Sequence, residues 1–193
     1  MFASQIRLQH SLSNRPYPPP NFCSLSQNSQ QTSYHQIIEM STVIPTSTSI
    51  TESAVIPAHL SQVWHFIKLQ DFHVFWSKLK GSEFVKGTSP ETDVVKWEFK
   101  DGTVLEVKQE EHSSIDHYIT YSVIDATPAI SYSSVVSTVR CYPITCGSAE
   151  GQTFVTWSGN FSSDADAGVI EDARFKRQEA LADLAAKVGE KKK

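Results

Sequence analysis

The sequence predicts an α+β domain in which an antiparallel sheet of about seven strands is closed by one long C-terminal helix. Three observations lead there. Between Ser49 and Ile56 apolar and polar residues alternate loosely, as in a strand that ends at Pro57. Two short stretches of helical spacing follow, and then strand-like segments are separated by turn residues as far as Phe161. Finally the helical period returns and is held from about Asp166 to Val188. A sheet wrapped around a single terminal helix tends to leave a hollow, and hollows bind small molecules.

The elements follow in order. Leu60, Val63, Trp64 and Ile67 recur at i, i+3, i+4 and i+7, one face of a first helix. Asp71 is placed as an N-cap for a second helix, with Phe72, Phe75, Trp76 and Leu79 as its apolar stripe and Gly81 as its end. Strands are then predicted over Glu83 to Lys86, Asp93 to Lys100, Thr103 to His112, His117 to Ile124, Ser131 to Tyr142 and Gln152 to Phe161. Asp101-Gly102 is a hairpin signal, and consecutive hairpins favour an antiparallel meander. In the final helix Ile170, Ala173, Arg177, Leu181, Leu184 and Val188 form one stripe, with Phe175, Gln178, Ala182 and Ala185 beside it. Acidic residues near its start and lysines at its end suit the helix dipole.

The folded unit is placed at residues 45–188, with a basic tail at 189–193. Residues 1–40 are rich in Ser, Gln, Asn and Pro, hold Arg7 and Arg15, and contain no acidic residue before Glu39. Such a stretch buries too little apolar surface to offset its ordering entropy. It reads as a disordered extension ahead of Met40; its acid-free, Arg-bearing composition also resembles an organelle-targeting segment. The expected location is cytoplasmic, with import through residues 1–40 as the alternative.

Across 193 residues the net charge is −4, which offers no basic surface for nucleic acid. No apolar run reaches the roughly 20 residues needed to cross a bilayer, so stable membrane insertion is not expected. Cys23, Cys141 and Cys146 form neither a disulfide framework nor a CxxC metal pair, and simple thiols in reducing conditions fit them best. The seven histidines make no metal motif. There is no phosphate loop, GxSxG elbow or Cys/His dyad, so neither a cofactor nor a metal is expected.

Several stretches carry a family resemblance. Ile56-Pro57-Ala58-His59-Leu60-Ser61-Gln62-Val63-Trp64 resembles the entry into the first helix of the START-like, or birch-pollen-allergen, superfamily. Asp93 to Ala126, with Lys96, Asp101-Gly102, Glu106 and Tyr121-Ser122-Val123, resembles its central hairpins, and Thr153 to Phe161 its last strand. The branch most similar is the polyketide cyclase/dehydrase and lipid-transport family. The resemblance implies a helix-grip fold, a curved sheet gripping the last helix around an internal cavity. Members carry lipids, hormones or polyketides, and a minority act on them chemically.

By the same resemblance the basic cavity position falls on Lys96, the carboxylate on Glu106 and the aromatic on Tyr121; Tyr132 and Ser134 match an inward Tyr and Ser of related receptors. Trp157 and Phe175 are further candidates for the lining. A carboxylate and a lysine facing one apolar cavity would pair, since either alone is costly to desolvate. Strand alternation equally allows Lys96, Glu98, Glu106 and Lys108 to form an exposed cross-strand ladder. Trp64 and Trp76 lie on core stripes, while Trp97 and Trp157 lie on strands where both parities carry aromatics. The expected partner is a small hydrophobic molecule. A non-enzymatic carrier is the first reading. The alternative is a cyclase, dehydratase or isomerase with Glu106 as acid/base and Tyr121 or Tyr132 orienting the substrate, and an interaction module with a collapsed cavity is a third.

Overall fold

The computed structural model describes residues 47–85 and 93–190. Readings that concern residues 1–40, Cys23 and the tail after Glu190 lie outside the described residues.

The sequence alternation becomes seven strands: β1 (Ser49–Ile56), β2 (Leu79–Phe84), β3 (Val94–Phe99), β4 (Val104–Ser113), β5 (Tyr118–Thr127), β6 (Val135–Pro143) and β7 (Thr153–Phe161). All pair antiparallel in the order β1-β7-β6-β5-β4-β3-β2. The six later strands form a meander, and β1 joins its far edge beside β7. Between β1 and β2 run α1 (Leu60–Trp64), a 3-10 turn (Leu69–Asp71) and α2 (Phe72–Phe75); α3 (Ala167–Glu190) closes the chain. Register shifts at Glu106/Val107 and Gln109/Glu111 mark bulges where β4 meets β5, and bulges bend and twist a strand. The sheet thus curves around α3 as a helix-grip fold.

Alternation decides which residues face the helix. In β7, Thr153, Val155, Trp157, Gly159 and Phe161 are buried and the residues between them are not. In β6 the buried positions are Val135, Ser137, Val139 and Cys141. From α3, Ala180, Leu181, Leu184 and Val188 join Phe72, Ile67, Val107 and Ile119 in the main core.

Two of the boundaries that differ from the sequence reading bear on the site. The second helix is only one turn long. It closes with Trp76 N–H donating to Phe72 O at 2.8 Å, after which Trp76 is extended. That extension lets the Trp76 ring pack edge-on against Trp97, Phe99 and Trp157. Leu79 then starts β2 opposite Phe99, and Gly81 sits at a bulge inside the strand instead of ending a helix. β6 likewise starts at Val135, not Ser131. Ser133 N–H and Ser134 N–H donate to the Asp164 carboxylate (2.9 Å) and the Ser162 hydroxyl (3.0 Å), and these side-chain acceptors replace ladder partners. At the β3–β4 hairpin the Asp101-Gly102 signal forms as read, with Gly102 at φ 91° and Thr103 N–H bonded to the Asp101 carboxylate at 2.8 Å.

The short helices are pinned to both layers. Trp97 Nε1 donates to Leu69 O at 2.8 Å, Thr153 Oγ1 to Ala58 O at 2.8 Å, and Ser77 N–H to the Asp183 carboxylate of α3 at 2.8 Å. No helix among the described residues is long and apolar enough to cross a membrane. Cys141 and Cys146 are both free thiols; burial pushes the Cys141 pKa up to about 12, so it stays protonated and unreactive.

Candidate functional site

Between the sheet and the first half of α3 lies a cavity of about 380 Å³. Its walls are aromatic: Trp76, Trp97, Phe99, Tyr121, Trp157 and Phe161. Leu105, Val123, Val135 and Ala173 add aliphatic surface, and the loop from Pro128 to Tyr132 lies over one side. Asp101, Thr103, Asp172 and Lys176 stand at the mouth, where Lys176 pairs with Asp172 at 2.7 Å.

The deep polar group is Arg177, buried to 7% exposure on the apolar stripe of α3. Its Nη1 donates to Ala173 O and its Nη2 to Ser137 Oγ, both at 2.9 Å. The guanidinium carbon stands 5.9 Å from the centroids of Trp157 and Phe161, within cation–π reach. Burial lowers the Arg177 pKa, opposed by Tyr121, Tyr132 and Glu52, yet a guanidinium remains charged in proteins. Beside it Tyr121 is buried and accepts a hydrogen bond from Trp157 Nε1 at 3.0 Å. Burial pushes the Tyr121 pKa up, against the pull of Arg177, Ser137 and Trp157. Tyr132, partly buried, is raised by burial as well, with Arg177 opposing. Both phenols are therefore neutral donors over the physiological range.

Of the residues singled out from sequence, Tyr121, Tyr132 and Trp157 line this cavity, and Trp97 joins them. Lys96, Glu106, Ser134 and Phe175 do not. Lys96 and Glu106 are register partners, as are Trp97 and Leu105 one step along. Since Trp97 and Leu105 face the cavity, alternation turns Lys96 and Glu106 to the opposite face, the ladder arrangement. Ser134 is exposed and spends its backbone on Ser162; the serines that line the cavity are Ser131 of the loop and Ser137, on the inward parity of β6. Phe175 is 63% exposed, because two residues along a helix from Arg177 is more than half a turn around it.

Arg177 carried no assigned role in the sequence reading, although it stood there as the one charged residue on the apolar stripe. A second signal was Gly159, on an inward position of β7. A Cβ added there would collide with Arg177 Nη2, so the missing side chain is the space the guanidinium occupies.

A family model described as polyketide cyclase/dehydrase and lipid transport matches residues 47–189. No match to a curated protein was found. Among solved structures, XoxI from Bacillus cereus is 21% identical with TM-score 0.62, covering 73% of this chain and 94% of that one. An uncharacterised protein from Bacillus thuringiensis is 21% identical with TM-score 0.61, covering 72% and 96%. The Zhui aromatase/cyclase from Streptomyces sp. R1128 is 10% identical with TM-score 0.61, covering 75% and 95%. At such identities the likeness extends to the fold alone.

Proposed function

The chain belongs to the polyketide cyclase/dehydrase and lipid-transport family, and we propose that it binds a small hydrophobic molecule in the cavity beneath α3, as a carrier or sequestering protein. The observation that carries this reading is the lining: seven aromatic side chains, Tyr132 of the loop among them, around a hollow whose deep end holds a single charged group, Arg177. An apolar wall with one polar anchor suits retention of a ligand. Acid–base turnover asks for a proton-transfer group within hydrogen-bond reach of the reacting atom. Glu106, the carboxylate assigned that task by resemblance, is on the other face of the sheet, and the carboxylates at the mouth are exposed.

The cyclase or dehydratase reading keeps one supporting observation, the Tyr121 phenol hydrogen-bonded to Ser137 in the field of Arg177, an arrangement able to polarise a carbonyl. Native mass spectrometry of the purified full chain tests the carrier reading first. A copurified small molecule, released on unfolding and displaced by an added aromatic compound, is the expected result. Failure of any apolar compound to bind the folded protein saturably would overturn it. Conversion of an added linear polyketide analogue, lost in Tyr121→Phe, would move the assignment to catalysis. Removing residues 1–40 is expected to leave binding intact, and a localisation assay with and without them tests the cytoplasmic assignment.

A further inference from the structure

Arg177 is an unusual way to end an apolar cavity, since a buried cation without a counter-charge is costly. None of the ion pairs among the described residues includes it. Long cationic side chains ordinarily cover apolar surface while keeping the head in water; here the head itself is buried. The sheet also gives up a side chain to seat it, at Gly159. A guanidinium has five N–H donors. Ala173 O and Ser137 Oγ take two, and Nε is buried without a partner.

Tyr121 accepts from Trp157 and is also hydrogen-bonded to Ser137, so its hydroxyl is already engaged. The Trp76 indole N–H, on a ring that lines the same cavity, is buried and unpartnered. Arg177 Nε and the Trp76 N–H are thus left without an acceptor, and a carboxylate is acceptor-only and of opposite charge to the guanidinium.

We infer that the cavity selects a planar aromatic carboxylate, its ring against the tryptophans and its anionic head on Arg177 at the Gly159 seat. This rests on the reading that the cavity is a binding site and adds the class of occupant. The size is consistent: 380 Å³, at ~30 Å³ per water, corresponds to roughly a dozen waters, hence an occupant of about a dozen non-hydrogen atoms. The carboxylates at the mouth favour the same orientation, since they repel an acid head and direct it inward.

The test is calorimetric titration of the full chain with 2-naphthoate and with 2-naphthamide, close isosteres that differ in charge. Wild type is expected to bind the naphthoate at least about tenfold more tightly. Arg177→Met should abolish that preference while leaving naphthamide affinity within about threefold. Gly159→Ala, which pushes the guanidinium from its seat, should diminish the preference without removing the cation. Equal affinities in wild type overturn the inference and leave the binding reading standing. A preference that survives Arg177→Met also overturns it, by assigning the anion to Lys176 at the mouth. Binding of neither compound overturns both.

Discussion

The two halves of α3 lie on the same curved sheet and end in opposite situations. Its second half, through Ala180, Leu181, Leu184 and Val188, joins the main core with residues of α2 and the sheet. Its first half, through Val169, Ala173 and Arg177, borders a hollow. The difference is what the chain inserts between the layers. At one end the α1–α2 segment drives Val63, Ile67, Phe72 and Phe75 into the gap. At the other only the loop from Pro128 to Tyr132 reaches over it, and that loop is tied to the α3 approach through Ser133 and Asp164. The cavity is therefore a consequence of filling one end and not the other, and the packed core and the hollow occupy separate parts of one helix.

The comparison is most easily broken at the packed end. Phe72 is fully buried and meets the rings of Phe75, Trp97, Tyr121 and Trp157. Phe72→Ala is expected to cost about 3–5 kcal/mol in denaturant unfolding. A loss under about 1 kcal/mol would mean that this end is not what holds the sheet to the helix. At the open end Gly159→Ala should cost about 1–3 kcal/mol by overpacking against the guanidinium. Most of that penalty should vanish in an Arg177→Met background, where a flexible thioether can yield; Arg177→Met alone should be neutral or stabilising, as removing an uncompensated buried charge generally is. A double-mutant cycle reads the coupling.

A smaller effect concerns the loop over the cavity. Hydrogen bonds from Ser133 and Ser162 hold the exposed Asp164 carboxyl at a pKa of about 2, below its ordinary 3.8. A lowered carboxylate pKa adds stability that is present above the unfolded value and lost as pH falls through the folded one. The contribution should therefore be intact above about pH 4 and fade toward pH 2. Proton-detected titration of Ser133→Ala should show the Asp164 pKa rising toward 3.8. The smallest expected effect is at Glu106. Glu106→Gln should change stability by no more than about 0.5 kcal/mol and leave ligand affinity unchanged. A clear loss of affinity would return the inward carboxylate to the site.

Much of this architecture was legible in the residues. Alternation in β7 and the stripe on α3 identify the layers, and Asp101-Gly102 marks its hairpin. The one-turn α2 was not legible, because Phe72, Phe75, Trp76 and Leu79 satisfy helical spacing whether or not the backbone stays helical. Only the rings of Trp97, Phe99 and Trp157, distant in sequence, draw Trp76 out of the helix. For the site, a resemblance carried to Lys96 and Glu106 fails by one step of register, which in a strand exchanges the faces. Tyr121 and Trp157 tolerate such transfer because their strands keep the inward parity. Arg177 and Gly159 were each anomalous for their place, and they explain one another only when β7 and α3 are brought together.

The placement of the indoles has an optical consequence. Three of the four tryptophans, Trp76, Trp97 and Trp157, line the cavity. Trp76 is 6.0 Å from Trp97 and 5.5 Å from Trp157, centre to centre. Chromophores so close share excitation, so the walls should give a near-ultraviolet circular dichroism couplet and an emission that responds whenever an aromatic guest enters. Trp64, stacked on His112 at 5.4 Å away from the cavity lining, contributes a background that Trp64→Phe would remove. The hollow carries its own spectrometer.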